Sequence, residues 1–152
     1  MEMKAKELSH GNARSWCLAF STGDDPNKGL LRFAREEGLQ GASFTAIGAF
    51  SEVTLAFFDW KRKEYEPIPI REQVEVVSLV GNLATDEGGE LRMHAHVVVA
   101  RRDGSTLGGH LMNARVRPTL EVILTEAPET MRRFHDPETG LALLDSSATR
   151  SP

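Results

Sequence analysis

Apolar residues recur along this chain in two rhythms. Between Pro26 and Gly38, Leu30, Leu31, Phe33 and Ala34 fall on one helical stripe, with Arg32, Arg35, Glu36 and Glu37 mostly on the other side. Asp25 before Pro26 supplies an N-cap and a first helical position, and Gly38 a stop. The rest of the chain reads as strands. Apolar, β-branched and aromatic runs predict strands over 15–21, 42–47, 52–59, 74–80, 92–101, 106–115 and 119–125, with Gly48 as a bend or bulge. Thr22–Pro26 carries a turn signal and Asp103-Gly104 a hairpin signal. Asp136-Pro137-Glu138-Thr139-Gly140 reads as one capped turn, a short C-terminal helical turn. Strands joined by hairpins with one clear helix predict an α+β (α/β) domain, mainly an antiparallel β-sheet with one main N-terminal helix. Residues 1–13 read as an N-terminal extension, 14–145 as a single domain and 146–152 as a disordered tail.

Composition agrees with one self-sufficient core. The chain has 152 residues, 40% of them hydrophobic and 26% charged, which excludes overall disorder. One cysteine, Cys17, excludes an intrachain disulfide framework and a CxxC motif. It lies between Trp16 and Leu18 and reads as a small buried hydrophobe rather than a nucleophile. The segment Met1–Glu7 is charged, without the apolar core of a signal peptide, and no apolar run is long enough to span a bilayer. A cytoplasmic protein with no membrane partner is the expectation. The net charge of -4 argues against a protein built to coat DNA.

Histidine carries the chemistry. His94 and His96 stand before the Asp103-Gly104 turn and His110 after it. Side chains at i and i+2 of a strand share a face, so His94 and His96 present two imidazoles together. Register decides whether His110 joins them. A two-residue loop at Asp103-Gly104 would place His110 opposite Val97, on the wrong face. One more loop residue, or a bulge, places it opposite His96, and Gly108-Gly109 is suited to host a bulge. Three imidazoles leave one tetrahedral position open, as in a catalytic or ligand-binding metal site.

Glu75 and Glu121 lie within apolar strands and are the acidic candidates, either as acceptors for a histidine N–H or as a base acting on metal-bound water. The alternative for each is a strand residue facing solvent or an arginine. Arg115-Val116-Arg117-Pro118 is close to the minor-groove sequence Arg-Gly-Arg-Pro, but valine stands where glycine lets the backbone lie deep in a narrow groove. The other arginines, Arg132 and Arg133 among them, are scattered rather than striped.

These residues, in this order, resemble the plant and prokaryote conserved (PPC) domain family from Arg14 to Leu144. The resemblance rests on Ala46-Ile47-Gly48-Ala49 after the helix, Val74-Glu75-Val76-Val77-Ser78-Leu79-Val80-Gly81-Asn82, and the core His94-Ala95-His96, Asp103-Gly104, Gly108-Gly109-His110. Thr119-Leu120-Glu121-Val122 and the closing turn Asp136–Gly140 complete it. The resemblance implies an antiparallel-sheet domain assembling as a homotrimer, with a divalent metal, usually zinc, on positions matching His94, His96 and His110. In plants the domain follows a DNA-binding hook, and stand-alone prokaryotic members carry a DNA-binding label by association. This sequence has no such hook, and Gln73-Val74 replaces the plant Arg-Phe pair.

Three readings follow. The first is a metal-binding homotrimer with a regulatory or small-ligand and partner-binding role. The second is a zinc-dependent enzyme on a small substrate, with Glu75 or Glu121 as base. The third is a DNA-associated protein, as the family label has it.

Overall fold

The computed structural model describes residues 3–9 and 13–146. Its elements are β1 (Lys4–Ser9), β2 (Ser15–Ser21), α1 (Pro26–Glu36), β3 (Gly41–Asp59), β4 (Glu64–Ile70), β5 (Val74–Thr85), β6 (Leu91–Ala100), β7 (Thr106–Glu126), β8 (Arg133–His135) and β9 (Ala142–Leu144). Seven strands form one antiparallel sheet in the order β1-β2-β7-β6-β5-β3-β4, and β7 also pairs with β3. The pairings of β3, β5, β6 and β7 therefore close into a ring, with β2 and β4 carried on its flanks.

The expected α+β character with a mainly antiparallel sheet and one helix is what the chain adopts. Helix α1 begins as its sequence directs: the Asp25 carboxylate accepts from the Lys28 N–H, Pro26 occupies the first turn, and Gly38 follows with φ +68°. Its buried face, Leu30, Phe33 and Ala34, covers Trp16 and Phe20 of β2, and Trp16 meets Phe33 edge-on at 5.5 Å. Along β2 burial alternates, so Trp16, Leu18 and Phe20 enter the core. Cys17 sits between them on the opposite face and is half-buried, which corrects its reading as a core residue.

Two pairs of expected strands are each one long strand. Segments 42–47 and 52–59 are joined within the 19-residue β3, and 106–115 and 119–125 within the 21-residue β7. Bulges bend these strands without ending them, as at Ala46/Gly48 where β3 meets β5. Gly48 is at φ +152°, and a Cβ there would stand 2.2 Å from the Thr119 carbonyl oxygen of β7. The glycine is what lets the two long strands approach at the bend.

Lys4–Ser9, within the segment read as an extension, forms β1 and pairs with β2 at the sheet edge. The Asp136–Gly140 segment is a capped turn closed by the Gly140 N–H on the Asp136 carbonyl oxygen, with the Asp136 carboxylate accepting from Thr139. It closes the β8–β9 hairpin, so the short C-terminal helical turn is corrected to a turn between two strands. The tail assigned to 146–152 lies outside the described residues beyond Ser146. No helix among the described residues is long and apolar enough to cross a membrane.

Gly48→Ala is expected to destabilise the fold by roughly 3 kcal/mol in denaturant unfolding, combining a forbidden φ with a backbone clash. Gly89→Ala, with φ +80° and nothing within 4 Å of the added Cβ, is expected to cost only about 1 kcal/mol.

Candidate metal centre

The site depends on the β6–β7 hairpin. His96 pairs with His110, Val97 with Gly109, and Ala100 with Thr106, without interruption. The Arg101 N–H bonds the Ser105 carbonyl oxygen, and the Gly104 N–H bonds the Arg101 carbonyl oxygen. The loop is thus Arg102-Asp103-Gly104, three residues with Gly104 at φ +81°. The Asp103 carboxylate accepts from the Ser105 backbone and hydroxyl, which fixes the turn. The extra residue sits in the loop, and the pairing across Gly108-Gly109 stays regular. Gly109 has another use: a Cβ there would stand 2.8 Å from the Ala56 carbonyl oxygen of β3.

With that register the three imidazoles share the outer face of the sheet. One ring nitrogen of each of His94, His96 and His110 lies within 4.8 Å of the others. The Nε2 atoms of His94 and His96 are 3.1 Å apart, and the ring of His110 lies 5.4 Å from that of His94 and 5.7 Å from that of His96. Tyr65 of β4 stacks on His110 at 4.4 Å and closes one side. The Nδ1 atom of His110 is buried and has no hydrogen-bond partner. Burial first, then the His94 and His96 imidazoles, pushes His110 down to about 4. Burial, His96 and the Arg133 guanidinium together lower His94. Three imidazole nitrogens at this spacing suit a divalent metal, and burial favours the neutral, metal-binding form of His94 and His110.

Neither acidic candidate reaches this cluster within one chain. Glu75 is exposed and pairs with Ala100, roughly 15 Å along β5 from Val80, the residue opposite His96. Glu121 is exposed on β7 between Ala19 and Ile47, eleven residues beyond His110. Both face solvent, because alternation puts their apolar neighbours inside. Val116 of the Arg115–Pro118 segment is fully buried in β7, so that segment is sheet and not a groove-binding arm. Arg62, Arg92 and Arg101 pair with Glu64, Asp86 and Glu72, which breaks up any basic stripe.

Sequence reasoning missed three neighbours of the histidines. Asn82 pairs with His94 across β5 and β6. Its side-chain oxygen accepts from Nη2 of Arg133, a residue of β8 that is only 6% exposed. Tyr65 is the third. Asn82 stands at the end of the Val74–Asn82 segment, two residues from Val80, and period-2 alternation could have placed it beside His94. Nothing in the sequence around Arg133 or Tyr65 signals their place.

Residues 8–128 match the Plants and Prokaryotes Conserved (PCC) domain, and the chain belongs to this family. A crystal structure of a protein from Bacteroides thetaiotaomicron, described provisionally as DNA-binding, superposes with a TM-score of 0.84 at 31% identity, covering 93% of this chain and 96% of that one. A metal-containing protein from Archaeoglobus fulgidus superposes with a TM-score of 0.80 at 28% identity, over 96% of this chain and 99% of that one. The bifunctional protein GlmU of Synechococcus sp. strain JA-3-3Ab is 33% identical over 140 residues, 90% of this chain and 21% of the relative. The chain thus spans about a fifth of the length of the curated relatives it matches.

The depressed value of His110 has a consequence for pH. The folded state holds His110 neutral down to about 4, whereas the unfolded chain protonates it near 6.5. Protons therefore favour the unfolded chain in that window. The metal-free protein is expected to be fully stable above pH 6.5 and to lose stability steadily as pH falls towards 4, with His110→Gln flattening that slope in urea titrations.

Proposed function

We propose that this protein is a homotrimeric PCC-domain module that holds a divalent metal, zinc, on His94, His96 and His110 and has a regulatory or small-ligand-binding role. The observation that carries the reading is the convergence of three imidazole nitrogens within 4.8 Å of one another. The similar Archaeoglobus fulgidus protein is described as metal-containing, which agrees with it. Zinc bound to three imidazoles supplies a Lewis-acidic position open to an exogenous ligand. Around that position the chain's own residues orient and exclude: Tyr65 covers His110, and Asn82 and Arg133 stand beside His94. A lone cysteine suits a reducing cytoplasm.

An enzymatic reading with Glu75 or Glu121 as base finds neither of these two carboxylates beside the histidines within one chain. The DNA-binding label of the Bacteroides thetaiotaomicron relative finds little support in a net charge of -4.

Support for self-association comes from the sheet's outer face. Ile47, Val80, Val98 and Ile123 lie on the same side of the closed strands as His96 and are 39 to 59% exposed. Such an apolar face is costly in water and is covered when copies of the chain pack together.

Elemental analysis of the purified protein is expected to find one zinc per chain, with His94→Ala or His110→Ala losing it while the fold is retained. No metal uptake even after incubation with zinc overturns the reading. For the assembly, light scattering is expected to give a mass of three chains, about 50 kDa, and Val80→Glu with Ile123→Glu is expected to yield the 16.8 kDa monomer. A wild-type monomer at micromolar concentration contradicts the trimer.

A further inference from the structure

Beside the histidines lies a cavity of about 600 Å³. His94, His110, Tyr65, Met93 and Arg133 line it together with residues 141–144. Arg133 is an unusual residue to find there. The residue is only 6% exposed. Nη1 donates to the Ala142 carbonyl oxygen at 3.2 Å and Nη2 to the Asn82 side-chain oxygen. The Nε–H has no acceptor. Both partners are neutral, and no carboxylate among the described residues pairs with it. Asp86 also lines the cavity, but its carboxylate is taken by Arg92 and by the backbone of Gly88 and Glu90. A buried cation without a counter-ion is expensive, and an anionic partner would offset that cost.

We infer that this cavity binds a small monocarboxylic acid, its carboxylate on Arg133 and an oxygen on its α-carbon turned towards His94 and His110. A guanidinium matches a carboxylate in plane and would gain the counter-charge it lacks. Met93, Leu141 and Leu143 add apolar surface for a short carbon chain, beside the polar Tyr65 and Asn82 and the Asp86–Arg92 pair. A phosphate carries more charge than one guanidinium matches, and the other cation in the lining, Arg92, is already held by Asp86. The α-oxygen part of the inference rests on the metal reading above, whereas the Arg133 part stands without it.

The test is calorimetric titration of the 152-residue chain, metal-free and zinc-loaded, with lactate, propionate, lactamide and inorganic phosphate. Lactate and propionate are expected to saturate one site per chain in the metal-free protein. Lactamide, the same shape without the charge, and phosphate are expected to bind at least tenfold more weakly. This comparison needs no substitution. Arg133→Met is expected to weaken lactate at least tenfold with zinc content unchanged. Zinc is expected to tighten lactate but not propionate, and His94→Ala to abolish that difference. No saturable binding of lactate in either form, or lactamide or phosphate binding as well as lactate, overturns the inference while zinc analysis still supports the metal site. Lactate held through Arg133 by a protein that takes up no zinc upholds the carboxylate site and overturns its α-oxygen part together with the metal reading.

Discussion

A β-strand turns alternate side chains to opposite faces, so a hairpin slipped by one residue exchanges its inner and outer sets. In this protein that constraint is set by the three residues Arg102, Asp103 and Gly104. With this loop, His110 stands opposite His96 on the outer face while Val97 and Val99 point into the core. A loop one residue shorter would turn His110 away from His94 and His96 and disturb the core packing as well. The loop chemistry matches the demand: Gly104 takes the positive φ, and Asp103 ties down the Ser105 backbone. Site geometry and core burial are thus held by the same register, and core packing keeps the hairpin from slipping.

A second constraint brings the wall of the site into place. The strands β3 and β7 are long enough to serve both the helix-covered core and the histidine end, and the bulge at Gly48 bends them together. The far half of β3 runs beside His110, where Ala56 pairs with it and Gly109 allows the close approach. Strand β4 follows and delivers Tyr65 onto the His110 ring. Burial of that ring is what pushes His110 down to about 4 and keeps its lone pair free near neutral pH. The fold therefore does more than gather three imidazoles: it also favours the neutral form of His94 and His110.

Much of this is written in local signals. The helix is legible because Asp25, Pro26 and Gly38 mark its ends and the leucines its face. The histidine pair follows from period-2 alternation alone, and the need for an extra residue before His110 follows from register arithmetic. Local signals also have limits. Gly48 and Arg117-Pro118 look like strand breaks, yet the chain stays in the sheet on both sides because neighbouring strands supply hydrogen bonds across the bulges. The Lys4–Ser9 segment is too polar to announce a strand, and it becomes one by adding to an edge already formed by β2. Cys17 looked apolar by its company, but alternation turns it outward. Arg133 and Tyr65 come from hairpins distant in sequence, so only the folded chain reveals them as neighbours of the histidines.

The central claim is that these three imidazoles bind one metal ion together, and X-ray absorption at the zinc edge of the loaded protein tests it most directly. The expected spectrum shows three imidazole nitrogens at about 2.0–2.1 Å plus one oxygen ligand from solvent. A spectrum with one imidazole or none, or with sulfur from Cys17 in the first shell, would contradict it.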